Sequence, residues 1–181
     1  NVVVGQSTTI LQLLTLGRHT WRVIVGYGHA PEHASLYCAE QGLLISGDML
    51  LPKISTNVSV WSTEPDGDPV GQFLCSLRAL TELPDDTLVL PSHGLPFRGI
   101  RARVAALEAH HAERLGALKD ACAEPRTAAE IVPVLFSRAL DVHQLFFAMG
   151  EAIAHLNHLD QRGEVSRALD DAGTYRFCAR P

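Results

Sequence analysis

Three short motifs along the chain each carry a side chain that could bind a metal ion. They are Gly28-His29-Ala30-Pro31-Glu32-His33, Ser46-Gly47-Asp48 and Pro91-Ser92-His93-Gly94. Each stands at a turn just after an apolar, strand-like run, and strand ends are places where side-chain spacing can be fixed. Imidazole and carboxylate together suit zinc, manganese or iron rather than calcium. We therefore expect His29, Asp48 and His93 to converge on one site.

Two further residues of the first motif are candidates for a supporting role. His33 and Glu32 share the rigid turn of His29, which Gly28 and Pro31 shape. A metal-bound imidazole usually needs an outer partner that sets its tautomer. We expect His33 or Glu32 to serve as such a partner rather than as a direct ligand.

The remaining histidines fit other roles. His19 has a strand-turn context and is interpreted as a surface residue. His110 and His111 fall on a predicted helix, where we favour a solvated face; contact of one of them with the site is the alternative. His155 and His158 are three residues apart on another helix and share a face, but no third ligand lies near them in the sequence.

The elements that position the motifs begin with short strands. Residues 8–16 and 21–25 are apolar and β-rich, and residues 34–39 and 43–46 flank the turn Glu40-Gln41-Gly42. Short strands joined by tight turns predict an antiparallel meander. A further buried strand, residues 87–91, delivers His93.

Between the last two strands we predict a surface loop and a helix. Residues 52–68 are rich in Pro, Gly, Ser, Thr and Asn, which is typical of a long surface loop. Asp68 can cap the helix that follows, and Pro69 suits its first position. An apolar stripe with helical spacing runs to Leu83, and Pro84 stops the helix.

The last third of the chain changes to helical character. The pattern predicts a helix over residues 101–122, a short helix that begins at a capping box at residues 127–130, and a long helix over residues 142–162. Two strands, at residues 164–169 and 174–178, follow. Three helices and a hairpin are the order of a winged-helix module. We place the domain boundary between 122 and 123, giving domains 1–122 and 123–181.

The amino-acid composition limits the classes of protein to which the chain can belong. The chain is 46% apolar and 19% charged, which fits a soluble globular protein, and no apolar run reaches the roughly 20 residues that cross a bilayer. The net charge of −5 without Lys or Arg runs counts against nucleic acid as the main partner without excluding it. The four widely spaced cysteines are interpreted as buried free thiols of a cytoplasmic protein. The chain lacks an initiator Met, so we expect it to start inside a longer or processed protein.

The three motifs resemble those of metallo-beta-lactamase fold hydrolases. In that family the third motif reads like Pro-Gly-His-Thr-Pro-Gly-His, the fourth like Ser/Thr-Gly-Asp and the fifth like Gly-His-Gly. Here Tyr27 stands for Pro and Glu32 for Gly, and the match covers about residues 8–100. The resemblance implies that His29 binds a first metal, Asp48 bridges two metals and His93 binds the second. The family's first motif, His-x-His-x-Asp-His, does not occur in the chain.

The segment Phe147–Leu156 is similar to the C-terminal domain of one subgroup of this family, in which a winged-helix-like domain helps to wall the active-site cleft. The resemblance implies an α/β (α+β) fold: the C-terminal half of an αββα metallo-beta-lactamase sandwich followed by a small winged-helix-like domain. The helix before the predicted hairpin carries no Lys, which suits packing rather than phosphate binding. The subgroup includes a mitochondrial endoribonuclease.

The resemblance implies a metal-dependent hydrolase whose metal-activated hydroxide attacks a thioester, lactone or related ester of a small-molecule substrate. Two divalent metals are expected, zinc first, with manganese or iron as alternatives. The missing N-terminal half would supply the other ligands and the general base, so this chain alone is expected to be inactive. Its exposed sheet should then pair with that half or, by dimerisation, with a second copy. An endoribonuclease of the same fold, or a non-enzymatic binding protein that retains half the fold, are the alternatives.

Overall fold

The computed structural model describes residues 13–180, which form a five-stranded sheet, four helices and a separate hairpin. The elements are β1 (Leu13–Leu16), β2 (His19–Gly26), β3 (His33–Cys38), β4 (Leu43–Gly47), α1 (Pro69–Leu80), β5 (Leu88–Pro91), α2 (Ile100–Ala121), α3 (Ala128–Leu135), α4 (Val142–Gln161), β6 (Val165–Leu169) and β7 (Tyr175–Ala179). The predicted α/β class is confirmed. Residues 8–12 of the predicted first strand lie outside the described residues.

The sheet has the order β1-β2-β3-β4-β5. Strands β1 to β4 form the predicted antiparallel meander, and β5 runs parallel to β4 because α1 provides the crossover between them. The parallel pairing brings the carboxyl ends of β4 and β5 to the same edge of the sheet. The residues that follow these ends, Asp48 and His93, are therefore neighbours in space.

The two faces of the sheet differ in their surroundings. Leu44 and Val89 are fully buried on the face that packs against α1 and α2. The opposite face is also apolar but open: Leu14, Leu16, Val25 and Ile45 are 40–50% exposed. Their register places these four side chains on one side. A contiguous exposed apolar face of this kind is typical of an interaction surface.

A second core lies between the end of α2, α3, α4 and the hairpin. Its buried side chains include Leu118, Ile131, Leu156 and Phe177. The order of three helices and a hairpin agrees with the sequence prediction, whereas the winged-helix assignment stays a prediction. The second core begins at Leu115, inside α2, so that this helix belongs to both cores. The domain boundary between 122 and 123 also stays a prediction.

The segment predicted as a surface loop is partly buried, which corrects the sequence interpretation. Val58 is fully buried in the first core, and Thr56 and Ser59 are also buried. The Val60 N–H donates to the Gly150 carbonyl of α4 over 3.1 Å. We name residues 56–60 the strap, because they tie the sheet edge to α4.

Two smaller predictions also differ from the structure. Helix α1 ends at Leu80 rather than before Pro84, because the hydroxyl of Thr81 caps the Arg78 carbonyl over 2.7 Å. The four cysteines are free thiols, but Cys75 is exposed rather than buried. Among the described residues, no helix combines the length and the apolar character needed to cross a membrane.

Candidate metal centre

The carboxylate of Asp48 lies between two imidazoles. Nε2 of His29 is 3.7 Å from Oδ2 of Asp48, and Nε2 of His93 is 3.4 Å from Oδ1. The structure therefore brings together the three residues that the sequence singled out. His29 and Asp48 are partly buried, whereas His93 is 66% exposed at the rim.

Glycines allow the motif turns to approach their neighbours. Gly28 has a φ of 98°, and a Cβ there would lie 2.3 Å from the Pro69 carbonyl oxygen. Gly47 has a φ of 54°, and a Cβ there would lie 2.6 Å from Nε2 of His33. Only glycine adopts this left-handed conformation without strain. The Gly-His and Gly-Asp pairs thus reflect a need for close packing beside the site.

His33 supports Asp48 through the backbone. The Asp48 N–H donates to Nε2 of His33 over 3.2 Å. Burial and the neighbouring His29 both lower the pKa of His33, which favours its neutral form. Nε2 is then the acceptor, and the proton on Nδ1 has no partner among the described residues. Glu32 is exposed on the same turn and makes no side-chain hydrogen bond within residues 13–180.

Two imidazoles and a carboxylate are a donor set that fits divalent metal ions. Nδ1 of His29 lies 2.9 Å from the Asn57 carbonyl, to which it donates, so that the Nε2 lone pair is directed to the Asp48 side. A carboxylate with one imidazole beside each oxygen suits a bridging position. Ser92 also donates to Oδ1 of Asp48.

One compact cluster of possible metal ligands lies elsewhere among residues 13–180. His19, Cys38 and Glu40 have ligand atoms within 4.8 Å of one another at the far end of the sheet. His19 is hydrogen-bonded there, since its Nδ1 lies 3.0 Å from Oε2 of Glu40. The ligand atoms of His29, Asp48 and His93 are not all within this distance of one another.

The strap connects His29 to the C-terminal helices. The Asn57 side chain donates to Glu151 over 3.1 Å and accepts from the Ser59 hydroxyl over 2.7 Å. Glu151 lies 3.4 Å from Arg114, and burial raises the pKa of this carboxyl. Sequence reasoning missed Asn57 and Glu151. An acidic residue inside the apolar run 145–156 was the signal that could have identified Glu151.

The prediction of a solvated face for His111 is wrong. Its ring is buried and stacked on that of His155, with Nδ1 of His111 3.1 Å from Nε2 of His155. Burial lowers the pKa of His111 to about 3 and that of His155 to about 4. Nδ1 of His155 donates to the Glu151 carbonyl over 2.8 Å, so this neutral pair packs directly behind Glu151.

A cavity of about 360 Å³ opens beside His29. Residues 28–31, 59–64 and 67–69 form most of its wall. The charged side chains among its described lining residues are the acidic Glu64 and Asp68. Asp68 caps α1 by accepting from the Gly71 N–H and also pairs with His158 over 2.9 Å. The cavity has the scale of a small-molecule site.

Comparison with known proteins agrees with this architecture. The profile of the metallo-beta-lactamase superfamily matches residues 3–93, and that of the metallo-beta-lactamase-like C-terminal domain matches residues 115–180. A probable metallo-hydrolase of Bacillus subtilis, YqjP, is 30% identical over 155 residues, which is 83% of this chain and 48% of that protein.

Two crystal structures are similar over 94% of the chain. A beta-lactamase domain protein from Burkholderia ambifaria is 51% identical with a TM-score of 0.91, and the match covers 51% of it. The metallo-beta-lactamase family protein TTHA1429 from Thermus thermophilus is 35% identical with a TM-score of 0.83, and the match covers 52% of it. The chain thus spans about half the length of these relatives, and it belongs to the metallo-beta-lactamase superfamily.

Proposed function

We propose that the chain is the C-terminal portion of a dinuclear metal-dependent hydrolase that cleaves a thioester, lactone or related ester. The observation that carries this proposal is the position of Asp48, with one imidazole beside each carboxylate oxygen. Zinc suits these ligands best, and manganese or iron are alternatives. Free cysteines support a cytoplasmic location.

In this proposal His29, Asp48 and His93 would hold the cations, with Asp48 shared between them. Bound divalent cations would polarise the scissile carbonyl and lower the pKa of a water molecule that attacks it. His29 is held in the required tautomer by the Asn57 carbonyl. Asp48 is held at two points: its backbone N–H donates to His33, and its carboxylate accepts from the Ser92 hydroxyl.

The cavity beside His29 supports a small-molecule substrate over RNA. Its lining carries Glu64 and Asp68 and, among the described lining residues, no Lys or Arg. A site for a phosphate backbone would need clustered cations. A carbonyl substrate without large negative charge is therefore the better match to this cleft.

We further propose that the open face of the sheet is covered by the N-terminal half of the same protein. This face presents Leu14, Leu16, Val25 and Ile45 to solvent. The matched relatives are about twice as long as the chain, which leaves room for such a half. That half would also supply the missing metal ligands, because three residues under-coordinate two ions.

The test compares the full-length protein with residues 1–181 alone. We expect the full-length protein to bind two zinc ions by elemental analysis and to hydrolyse a panel of p-nitrophenyl esters, an acyl thioester and a lactone. The isolated chain should bind zinc weakly and turn over none of them. Asp48→Asn in the full-length protein should lower turnover at least about 100-fold, whereas Asp171→Asn in the exposed hairpin turn should not. Tight binding of two zinc ions by the isolated chain would refute the shared-site proposal.

A further inference from the structure

A groove of about 590 Å³ lies between the C-terminal end of the strap and the second core. Its walls are mostly apolar and include Val60, Trp61, Phe147, Met149, Ile153 and Phe177. At its rim Phe146 and Tyr175 are 66% and 47% exposed. A concave site that is surrounded by exposed aromatic side chains is typical of a ligand-binding site.

The groove is electrically neutral. Its described lining residues include two charged side chains, Arg167 and Asp66, and these pair with each other over 2.8 Å. The Arg167 guanidinium also stacks on the Tyr175 ring at 4.6 Å from its centroid. Neither charge is free to bind a phosphate or a carboxylate at full strength. The groove therefore selects an uncharged apolar group.

The groove lies next to the cavity of the candidate metal centre. Residues 59–62 line both the groove and the cavity that contains His29. A ligand whose reacting group lies beside His29 can extend past Trp61 into the groove. This proximity favours the remainder of a substrate over a separate protein partner as the occupant.

We infer that the groove binds the apolar acyl chain of the ester or thioester whose carbonyl lies at His29 and Asp48. The inference rests on the proposed function and narrows it to acyl substrates of medium or greater chain length. The C-terminal helices and hairpin then contribute chain-length specificity.

The test uses the zinc-loaded full-length protein and p-nitrophenyl esters from acetate to octanoate. Burial of each methylene should raise kcat/KM by up to about fourfold. Ala129 is an exposed residue of α3 that lines the groove, so Ala129→Trp should fill the groove without disturbing a core. We expect this variant to lower the octanoate-to-acetate ratio of kcat/KM at least tenfold.

Ala105→Trp is the matched control, because Ala105 is an exposed alanine of α2 that does not line the groove. It should leave kcat/KM for both esters unchanged. The inference is wrong if kcat/KM does not depend on chain length, or if Ala129→Trp has no effect on the ratio. It is also wrong if the full-length protein is a dimer that Ala129→Trp dissociates, since the groove would then be a protein interface.

Failure of the proposed function gives a different result. If the zinc-loaded protein hydrolyses no ester, the fluorescent fatty acid cis-parinaric acid tests the groove directly. If the wild type binds cis-parinaric acid and Ala129→Trp weakens this binding at least tenfold, the groove is an acyl-chain site even though the protein is not an esterase. Absence of binding would overturn the inference as well.

Discussion

Replacing Gly150 with alanine should weaken metal binding without a matching loss of stability. Gly150 lies in the interior of α4, and a Cβ there would lie 2.9 Å from Cβ and 3.0 Å from Oγ of Ser59. Ser59 belongs to the strap, so the strap must move. The same strap presents the Asn57 carbonyl that holds Nδ1 of His29 at 2.9 Å.

Two opposing contributions set the stability change. Alanine is favoured over glycine inside a helix by about 1 kcal/mol. Overpacking against Ser59 should cost about 1–3 kcal/mol. The free energy of unfolding should therefore change by between roughly zero and −2 kcal/mol. Gly116→Ala in α2 is the matched control, because a Cβ at Gly116 meets no atom within 4 Å. It should raise the free energy of unfolding by about 1 kcal/mol.

Metal affinity separates the two variants more clearly. Loss of an outer partner of a ligand histidine typically lowers metal affinity by about 10–100-fold. We expect Gly150→Ala in the full-length protein to lose zinc affinity in this range, measured by chelator competition, and Gly116→Ala to keep it. The visible spectrum of the cobalt-substituted protein should change in Gly150→Ala alone.

Removing the clash supplies a rescue test. Ser59→Gly deletes the two atoms that the new Cβ would approach most closely and leaves only the Val60 carbonyl oxygen at 3.5 Å. The double variant should therefore recover much of the zinc affinity lost in Gly150→Ala. A double-mutant cycle gives this coupling, with Ser59→Gly alone as its reference. If Gly150→Ala has the zinc affinity of Gly116→Ala, α4 does not position His29 through the strap, and this reasoning is refuted.

Two further predictions concern the buried histidine pair and the open sheet face. The folded state keeps the pKa values of His111 and His155 near 3 and 4, well below the ordinary value of 6.5. The unfolded chain thus binds more protons, so stability is fully present above pH 6.5 and falls as the pH is lowered towards 4; each histidine contributes up to about 1.4 kcal/mol per pH unit. His111→Gln should reduce the slope of unfolding free energy against pH by about that amount in urea titrations, and an unchanged slope would show that His111 titrates normally. Ile45→Lys should change the stability of residues 1–181 alone by less than about 0.5 kcal/mol, since Ile45 is 40% exposed there. In the full-length protein it should cost several kcal/mol, about 3 or more, by burying a charge; equal effects on both proteins would contradict coverage of this face.

The sequence predicted those parts of the fold that depend on local rules. Asp68 caps α1 and Thr127 forms a capping box with Glu130, as their spacing indicates. Caps are recognisable because each hydrogen bond joins residues two or three positions apart. The alternation of apolar runs and turns likewise located the strands of the meander.

Features that depend on distant partners were not predictable. Polar residues in the strap indicated a surface loop, yet Val58 joins the core and Asn57 bonds to Glu151, which is 94 positions away. His111 is buried because His155 lies across from it, and neither residue carries that information alone. At the candidate site, family-like motifs pointed to His29, Asp48 and His93, and to His33 as a supporting residue, but not to Asn57 and Glu151.

The length of α2 has a consequence for how the molecule unfolds. This helix of 22 residues, about 33 Å long, places Val104 and Leu107 in one core and Leu115 and Leu118 in the other. A break in its middle would remove buried side chains from both cores at once. We therefore expect the two cores to unfold together, because loss of either one removes packing from the same helix. A chimera that receives the C-terminal helices must therefore also receive the last two turns of α2. A fragment that begins at residue 123 would lack Leu115 and Leu118, which α2 contributes to the second core.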